Sequence, residues 1–573
     1  MILKALYDYY NRLKAYGGSV APLGFKEQEI HFLIVIDSEG NFLRVEDRRI
    51  DKKLAQKFQV IADSRSSGIK PYLFYDNMEY VFGVPKDENP KTAVKAAQKF
   101  NAFVQKCNEI HNKYPDCEDF AAVCAFYEKN ENEKVPEDAL WEEMNKKKGA
   151  VLSFLIQGNT EIVASAAELE SETRLQGDDN DSDRLPICLV TGEAAEAVET
   201  TAATMIPGSQ ATAKLVAFQV NSGYDSYGKS QGMNAPISKK AESAYTIALL
   251  RLLDKQSRNK FFIGNRTFLF WASSDNETSK AVEESVFALF GFTDDKNDDP
   301  NRRIETVRKT FQAIFSGEMP NKTDDRFYIL GLAPNAARIA VVYWNETTVH
   351  DFAEMILRHF SDMEIIDGRK EQRPYYGLRH MMAAITLGGK ASEVQPNLPE
   401  ATMKSIMQGF PYPYTLFSSA IRRIRAEQGE AMQIARIAII KAYLNRLNNN
   451  NQTIQVMLDK QNNNTGYACG RLFAVLEYSQ KSANNINTIR ERYMNSASAT
   501  PAAVFPTLLN LSVHHVEKLD NDGKRNYIEK LKQEIIAMLP ADGFPSHLDL
   551  QDQGRFFVGY YHQMQDLYTK KTE

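Results

Sequence analysis

Two short patterns in this 573-residue chain carry residue types that do chemistry in other settings. The first is Gly223-Tyr-Asp-Ser-Tyr-Gly228-Lys229-Ser230, which fits G-x-x-x-x-G-K-[ST]. Glycines at that spacing let backbone N–H groups curl around phosphates, the lysine reaches the terminal phosphates, and the serine hydroxyl holds magnesium. The overlapping Gly228-Lys-Ser230-Gln-Gly232 fits G-x-S-x-G, the turn that exposes a nucleophilic serine. The second pattern is His350-Asp351, a pair found in metal-dependent nucleases, whose chemistry needs further His and Asp ligands. His514-His515 is also adjacent, but neighbours on a helix point about 100° apart and do not easily share an ion.

Each chemistry demands a particular element. Both loop patterns need a helix that springs directly from the Lys-Ser pair. Lys214 to Val220 reads as a strand leading in, but Gly232, Asn234 and Pro236 interrupt any helix at the exit. The helix is expected later, with Ser238 as N-cap and Ala241, Tyr245, Ala248, Leu249 and Leu252 as its apolar stripe. No apolar strand ending in Asp-Glu follows to hold a metal. Asp351 reads as the N-cap of a helix over Phe352 to Phe360. A triphosphatase using Lys229 and Ser230, a metal nuclease, and a rigid Gly/Asn/Ser loop are the readings these residues leave open.

Composition sets the frame. The chain is 43% apolar and 25% charged, ordinary for a soluble globular protein, and long enough for roughly four domains. With 69 Lys and Arg against 74 Asp and Glu, the net charge of −5 excludes a uniformly cationic surface but permits a local basic groove. No apolar run reaches ~18 residues, so no transmembrane helix and no membrane partner are expected. MILKALYDYYNRL lacks the apolar core of a secretory signal. None of the five cysteines forms C-x-x-C, which fits a reducing cytoplasm and small buried fillers.

Periodicity gives the elements. Ile2, Leu3, Leu6, Tyr7, Tyr10 and Leu13 follow helical spacing, and Gly17-Gly18 ends that helix. His31 to Asp37 and Asn41 to Glu46 form a hairpin around Ser38-Glu39-Gly40, and Tyr72 to Tyr75 and Met78 to Phe82 a second one around Asp76-Asn77. In that second hairpin Lys70, Tyr72 and Asn77 suit groove contacts and base stacking. Lys91 to Asn112 is an amphipathic helix with Ala93, Ala96, Ala97, Phe100, Phe103 and Val104 on one face. Glu161 to Glu199 is an acidic segment centred on GDDNDSD, without the glycine and distal glutamate of a calcium loop. Phe261 to Phe270 reads as one strand. Phe327 to Gly331 and Arg338 to Trp344 flank Ala333-Pro334-Asn335, the second run as a buried central strand. From about residue 396 the pattern is all helical. Residues 401–500 hold twelve Lys and Arg against five Asp and Glu, with Arg422, Arg423, Arg425, Lys441, Arg471, Arg490 and Arg492 as candidates for phosphate-backbone contact.

Several segments together resemble one family. SYGKxQGxNAPxS before a Tyr-rich Ala-Leu helix, SGxKPxxxxDNxxYxxG over Ser67 to Gly83, CxVTG over Cys188 to Gly192, and LxPNxxR over Leu332 to Arg338 occur in order. GRLFAVLEYSQ, INTIRERY, SASATPAAVFPTLL and FFVGYYHQ follow. The chain resembles the large subunit of type I-C CRISPR interference (Cascade) complexes. It departs at AVETTAATMIPGSQ, where the family carries a His-containing Ile-Lys-Gly stretch.

The resemblance implies an α+β, multi-domain protein, with a mixed α/β N-terminal part and a C-terminal all-α bundle similar to the small subunit. The expected domains are 1–150, 151–395 and 396–573. It implies a cytoplasmic, non-enzymatic subunit without cofactor or metal. Lys70, Tyr72 and Asn77 would sense the protospacer-adjacent motif. Lys229, Gln231, Asn234, Asn335 and Arg338 would touch DNA or RNA, and the basic C-terminal helices would hold backbone and displaced strand. The implied partners are double-stranded target DNA, the displaced single strand, a guide-RNA complex with backbone, guide-end-capping and small subunits, and a helicase-nuclease. The division of labour follows the logic of RNA-guided recognition. Met432 or Met457 would serve as an internal start for a separate small subunit.

Overall fold

The computed structural model describes the chain apart from residues 18–19, 53, 64–67, 148, 174, 176–184, 219–224, 226, 291–299, 321, 323, 369–375, 428–433, 448–452, 487 and 570–573. Gly223 of the phosphate-loop pattern, the GDDNDSD centre and Met432 lie outside the described residues. Small sheets occupy the N-terminal half and helices the C-terminal half, an α+β arrangement. The chain divides into a first unit, Met1–Asp254 with Asn335–Ile339, and a second, Lys255–Pro334 with Ala340–Glu573.

The strands of the first unit are β1 (Phe25–Ile30), β2 (Phe32–Ile36), β3 (Phe42–Asp47), β4 (Gln56–Ile61), β5 (Tyr75–Asn77) and β6 (Val151–Ile156). Its helices are α1 (Ile2–Ala15), α2 (Met78–Val81), α3 (Pro90–Lys113), α4 (Glu118–Glu128), α5 (Trp141–Lys146) and α6 (Lys239–Leu253). β1 and β4 pair antiparallel as a ribbon. The other four form a sheet in the order β3-β2-β6-β5, with β2 parallel to β6 from Phe32↔Leu152 to Ile36↔Ile156. Every residue of β2 is buried, as a strand covered on both faces requires. The expected hairpin of β2 and β3 is present.

Three expectations change here. The second hairpin is instead β5 followed by α2, because Asn77 accepts the Glu79 N–H at 3.0 Å and starts a helix where a strand was expected. Lys214 to Phe218 is irregular. Its backbone groups are spent elsewhere: Leu215 N–H donates to Thr204 Oγ1 at 3.2 Å and the Val216 carbonyl accepts from Thr201. α3 buries Ala96, Phe103, Cys107 and Ile110 while Ala93 and Ala97 are exposed, so its inner face is rotated from the expected one.

The remaining strands, β7 (Lys260–Ile263), β8 (Arg266–Ala272), β9 (Arg326–Asn335) and β10 (Arg338–Thr348), lie in the order β10-β9-β8-β7 and belong to the second unit except for Asn335–Ile339. The single strand expected over Phe261 to Phe270 turns back at Gly264-Asn265. β9 and β8 are the inner strands, and β8 is wholly buried. β10, expected to be central, is an edge strand with alternating exposure. The helices are α7 (Glu277–Leu289), α8 (Pro300–Ser316), α9 (Val349–Met363), α10 (Leu378–Ile385), α11 (Leu398–Gln408), α12 (Tyr414–Ala426), α13 (Ile434–Leu447), α14 (Thr465–Asn484), α15 (Thr488–Ala499), α16 (Pro501–Glu517), α17 (Asp522–Ile536) and α18 (Leu550–Tyr568). α14 and α18 cross closely enough that a Cβ on Gly470 would lie 2.0 Å from the Phe556 carbonyl oxygen. α9 starts earlier than expected. Thr348, not Asp351, is its N-cap, accepting the Asp351 N–H at 2.9 Å.

Candidate nucleic-acid interface

In the first unit the segment from Ile187 to Glu199 runs beside the approach to α6. Leu189 N–H donates to the Pro236 carbonyl at 2.9 Å, Val198 N–H to Ile237 at 2.9 Å, and Lys239 N–H to Glu196 at 3.2 Å. Gly232 sits under this layer, and a Cβ there would lie 1.9 Å from the Val198 carbonyl oxygen. That is the physical reason for glycine in the Gln-Gly-x-Asn-Ala-Pro stretch. Asp225 anchors the loop, accepting from the Gln231 backbone at 3.0 Å and the Asn234 side chain at 3.2 Å. Gln231 and Asn234 are thus engaged in shaping the loop. Lys229 is exposed, and Tyr227 beside it is 100% exposed at a left-handed φ of 52°.

Ser230 leads into a 3-10 turn, Gln231–Asn234, and not into a helix. The helix begins at Lys239, with Ser238 Oγ accepting the Ala241 N–H at 3.2 Å, as expected. Neither a phosphate loop nor a nucleophile elbow has the element it needs. Burial pushes the Cys188 thiol up, but hydrogen bonds from Ser238 and Thr191 outweigh it and hold it at about 7.

The start of α6 and the stretch containing Tyr72 meet at one cavity of about 710 Å³. Tyr72 stacks on Tyr75 with parallel rings 4.9 Å apart, and Lys26 places its ammonium 4.9 Å from the Tyr72 ring centroid. Asp63 ties Lys70 by an ion pair at 2.8 Å. In the same lining Glu242 accepts the Ala202 N–H at 2.7 Å, and Ser243 Oγ accepts the Gly24 N–H at 2.8 Å. Lys239 pairs with Glu196 at 2.7 Å. Of the three hairpin candidates, Tyr72 lines the cavity, Lys70 is exposed and pairs with a lining residue, and Asn77 is committed to capping α2. Sequence reasoning missed Lys26, Asp63 and Lys239. Only Lys239, next to the predicted cap, carried a local signal.

Asn335 and Arg338 are exposed at a hairpin tip that belongs to the first unit, where Ile339 N–H donates to the Lys214 carbonyl at 3.0 Å.

The basic helices of the second unit divide by exposure. Arg422 and Arg492 are exposed, and Arg422 donates to Ser419 Oγ at 3.0 Å. Arg423 pairs with Glu427, Arg425 donates to Gln553 Oε1 at 3.1 Å, and Arg490 is half-buried. Lys441 and Arg471 must be withdrawn as backbone contacts, because both are core residues, 3% and 2% exposed. The Lys441 ammonium donates to the Asp362 carbonyl at 3.0 Å, and Arg471 donates to Gln563 Oε1 at 3.1 Å. Burial pushes the pKa of both down.

His350 and Asp351 lie half-exposed within the first turn of α9, and the His350 ring stacks on Phe315 at 5.2 Å. Among the described residues no group of three His, Cys, Asp or Glu side chains converges to hold an ion. No described helix is long and apolar enough to cross a membrane.

No curated protein matches the chain. A family model described as CRISPR-associated protein (Cas_Csd1) matches residues 6–568. With nearly its whole length so matched, the chain belongs to the Cas_Csd1 family of CRISPR-associated proteins, the large subunits of type I-C complexes.

Proposed function

We propose that this protein is the non-catalytic large subunit of an RNA-guided surveillance complex. In this reading the first unit senses the motif flanking the target, and the exposed arginines of the second hold DNA backbone and displaced strand. The assembled complex then recruits the helicase-nuclease that cuts. Guide pairing reads the sequence, and the protein reads only the short flanking duplex.

The observation that carries this reading is the shared cavity. Two segments that resemble separate family motifs, far apart in sequence, contribute Tyr72 and Lys239 to one wall system, with Lys26 over the Tyr72 ring. Lys26 and Lys239 supply cations, and the Tyr72 ring and the lining's hydrogen-bonding groups supply partners for a base edge and its phosphate, beside the carboxylates of Asp63, Glu196, Glu199 and Glu242. The test is duplex binding by the assembled complex with and without the flanking motif. Tyr72→Ala and Lys70→Ala are expected to lower the motif preference about tenfold, the value of one good base contact. Equal loss on both duplexes would move these residues to backbone holding. Magnesium-dependent ATP binding that disappears in Lys229→Ala would replace the reading altogether.

A further inference from the structure

α3 carries a feature that the proposed function does not use. Asn101, Gln105, Asn108 and Asn112 recur along it at i, i+4, i+7 and i+11, which puts four carboxamides in one stripe. The segment after α4 adds Asn130 and Asn132, and the set lines a groove of about 580 Å³. Phe100, Val104 and Tyr127 add apolar surface to the lining, the Phe100 and Tyr127 rings meeting edge to face at 5.7 Å.

These groups are uncommitted. Among the described residues none of the five asparagine side chains makes a hydrogen bond within the protein, and only Gln105 is engaged, donating to Glu109 at 3.1 Å. A carboxamide presents an acceptor beside two donors. Its natural complement is an edge that offers both, which a peptide group and a nucleobase each provide. Charge decides between them. Glu109 and Glu133 line the groove and no Lys or Arg does. Lys106 pairs with Glu109 at 3.2 Å from outside the lining, and that pair is solvent-exposed and weak. A nucleic acid would bring phosphates to a wall with carboxylates and no cation to neutralise them. An extended polypeptide brings alternating N–H and C=O groups and no obligatory negative charge.

We propose that this groove docks an extended segment of a partner protein, its backbone met by the carboxamides and a Lys or Arg side chain seated between Glu109 and Glu133. The inference does not depend on flanking-motif sensing, and its failure would leave that reading intact.

The experiment places a photo-crosslinking benzoylphenylalanine at Asn108 of the full-length protein. The complex is reconstituted with guide RNA, target duplex and helicase-nuclease, irradiated, and its adducts mapped by mass spectrometry. The expected result is an adduct on a polypeptide segment with a Lys or Arg within a few residues. The double variant Glu109→Lys, Glu133→Lys should reduce it about tenfold, and duplex binding should be unchanged. Both carboxylates are exposed, so the variant should melt like the parent. If it does not, Glu133→Gln alone is read in its place. Adducts on RNA or DNA, on an acidic segment, insensitive to charge reversal, or absent from every state of the complex overturn the proposal.

Discussion

The two units put their cations to different uses. In the first, Lys26, Lys70, Lys229 and Lys239 stand on strand ends, loops or the first residue of a helix, next to a cavity or in solvent. In the second, Arg436, Lys441, Arg446 and Arg471 are inside the helical core, four of the twelve cations that make residues 401–500 look basic. A charge count along the chain adds the two kinds together. A surface cation is available to a phosphate. A core cation already serves buried carbonyl and carboxylate oxygens, so its loss should unfold the protein and leave the binding surface otherwise unaltered.

The largest effect that tests this contrast is expected at Arg446. Its guanidinium pairs with Asp362 at 2.6 Å, donates to the Phe410 carbonyl at 2.8 Å and lies 4.3 Å from the Tyr412 ring centroid. Removing one partner of a buried pair strands the other, at a cost of about 3–5 kcal/mol. Arg446→Ala should lose that much in urea unfolding. Arg422→Ala, on the surface, should change stability by less than about 0.5 kcal/mol. Similar values for both would erase the distinction between core and surface cations.

Acid provides the next test. Burial first, with Arg446 beside one and Lys441 beside the other, holds His359 and His562 down at about 3. Unfolded, each returns to about 6.5. Below pH ~6.5 the unfolded chain therefore binds protons the folded one refuses, and stability falls as pH drops from there towards 3. The loss is about 1.4 kcal/mol per pH unit per histidine, so about 2 kcal/mol each at pH 5. Glu477, raised by burial, works in the opposite sense. The histidines are therefore isolated by substitution: His359→Gln with His562→Gln should flatten the difference between unfolding at pH 7.5 and pH 5. An unchanged slope would show that these rings are not held neutral by the core.

A smaller effect belongs to the first unit. Gly232→Ala forces a methyl against the Val198 carbonyl and should cost about 1–3 kcal/mol. Because that layer leads into α6, the variant should also weaken preference for the flanking motif, measured by paired duplex titrations. Loss of stability with the preference intact would detach the loop from the cavity.

What was legible follows from range. The α6 stripe, its Ser238 cap and the β2–β3 hairpin depend on neighbours within a few residues, and sequence pattern reaches that far. The missing helix at Ser230 was legible for the same reason, from Gly232, Asn234 and Pro236. The cavity was not, because Lys26 over Tyr72 and Gly24 on Ser243 join positions 46 and 219 residues apart. Asn77 was misread because cap and turn use the same residue type, and only the packing of α2 decides. Lys441 and Arg471 were misread because a cation on an amphipathic helix looks the same in sequence whether water or a carbonyl oxygen accepts its hydrogen bonds.

The subtlest prediction concerns the surface arginines that remain once the core ones are removed. Arg422 and Arg492 are exposed, whereas Arg423 is tied to Glu427 and Arg425 to Gln553. A cation that neutralises a phosphate releases condensed counterions, so taking one such cation away flattens the dependence of binding on log salt by about one. Arg422→Glu with Arg492→Glu should therefore reduce that slope by about two in the assembled complex, weaken all duplexes alike, and leave motif preference unchanged. Arg423→Glu should act less on the slope and more on stability, since Glu427 also meets the buried Arg436 and would be left facing a like charge. If Arg423 governs the slope and Arg422 does not, backbone holding belongs to the ion-paired face of α12 and the free cations are solvation alone.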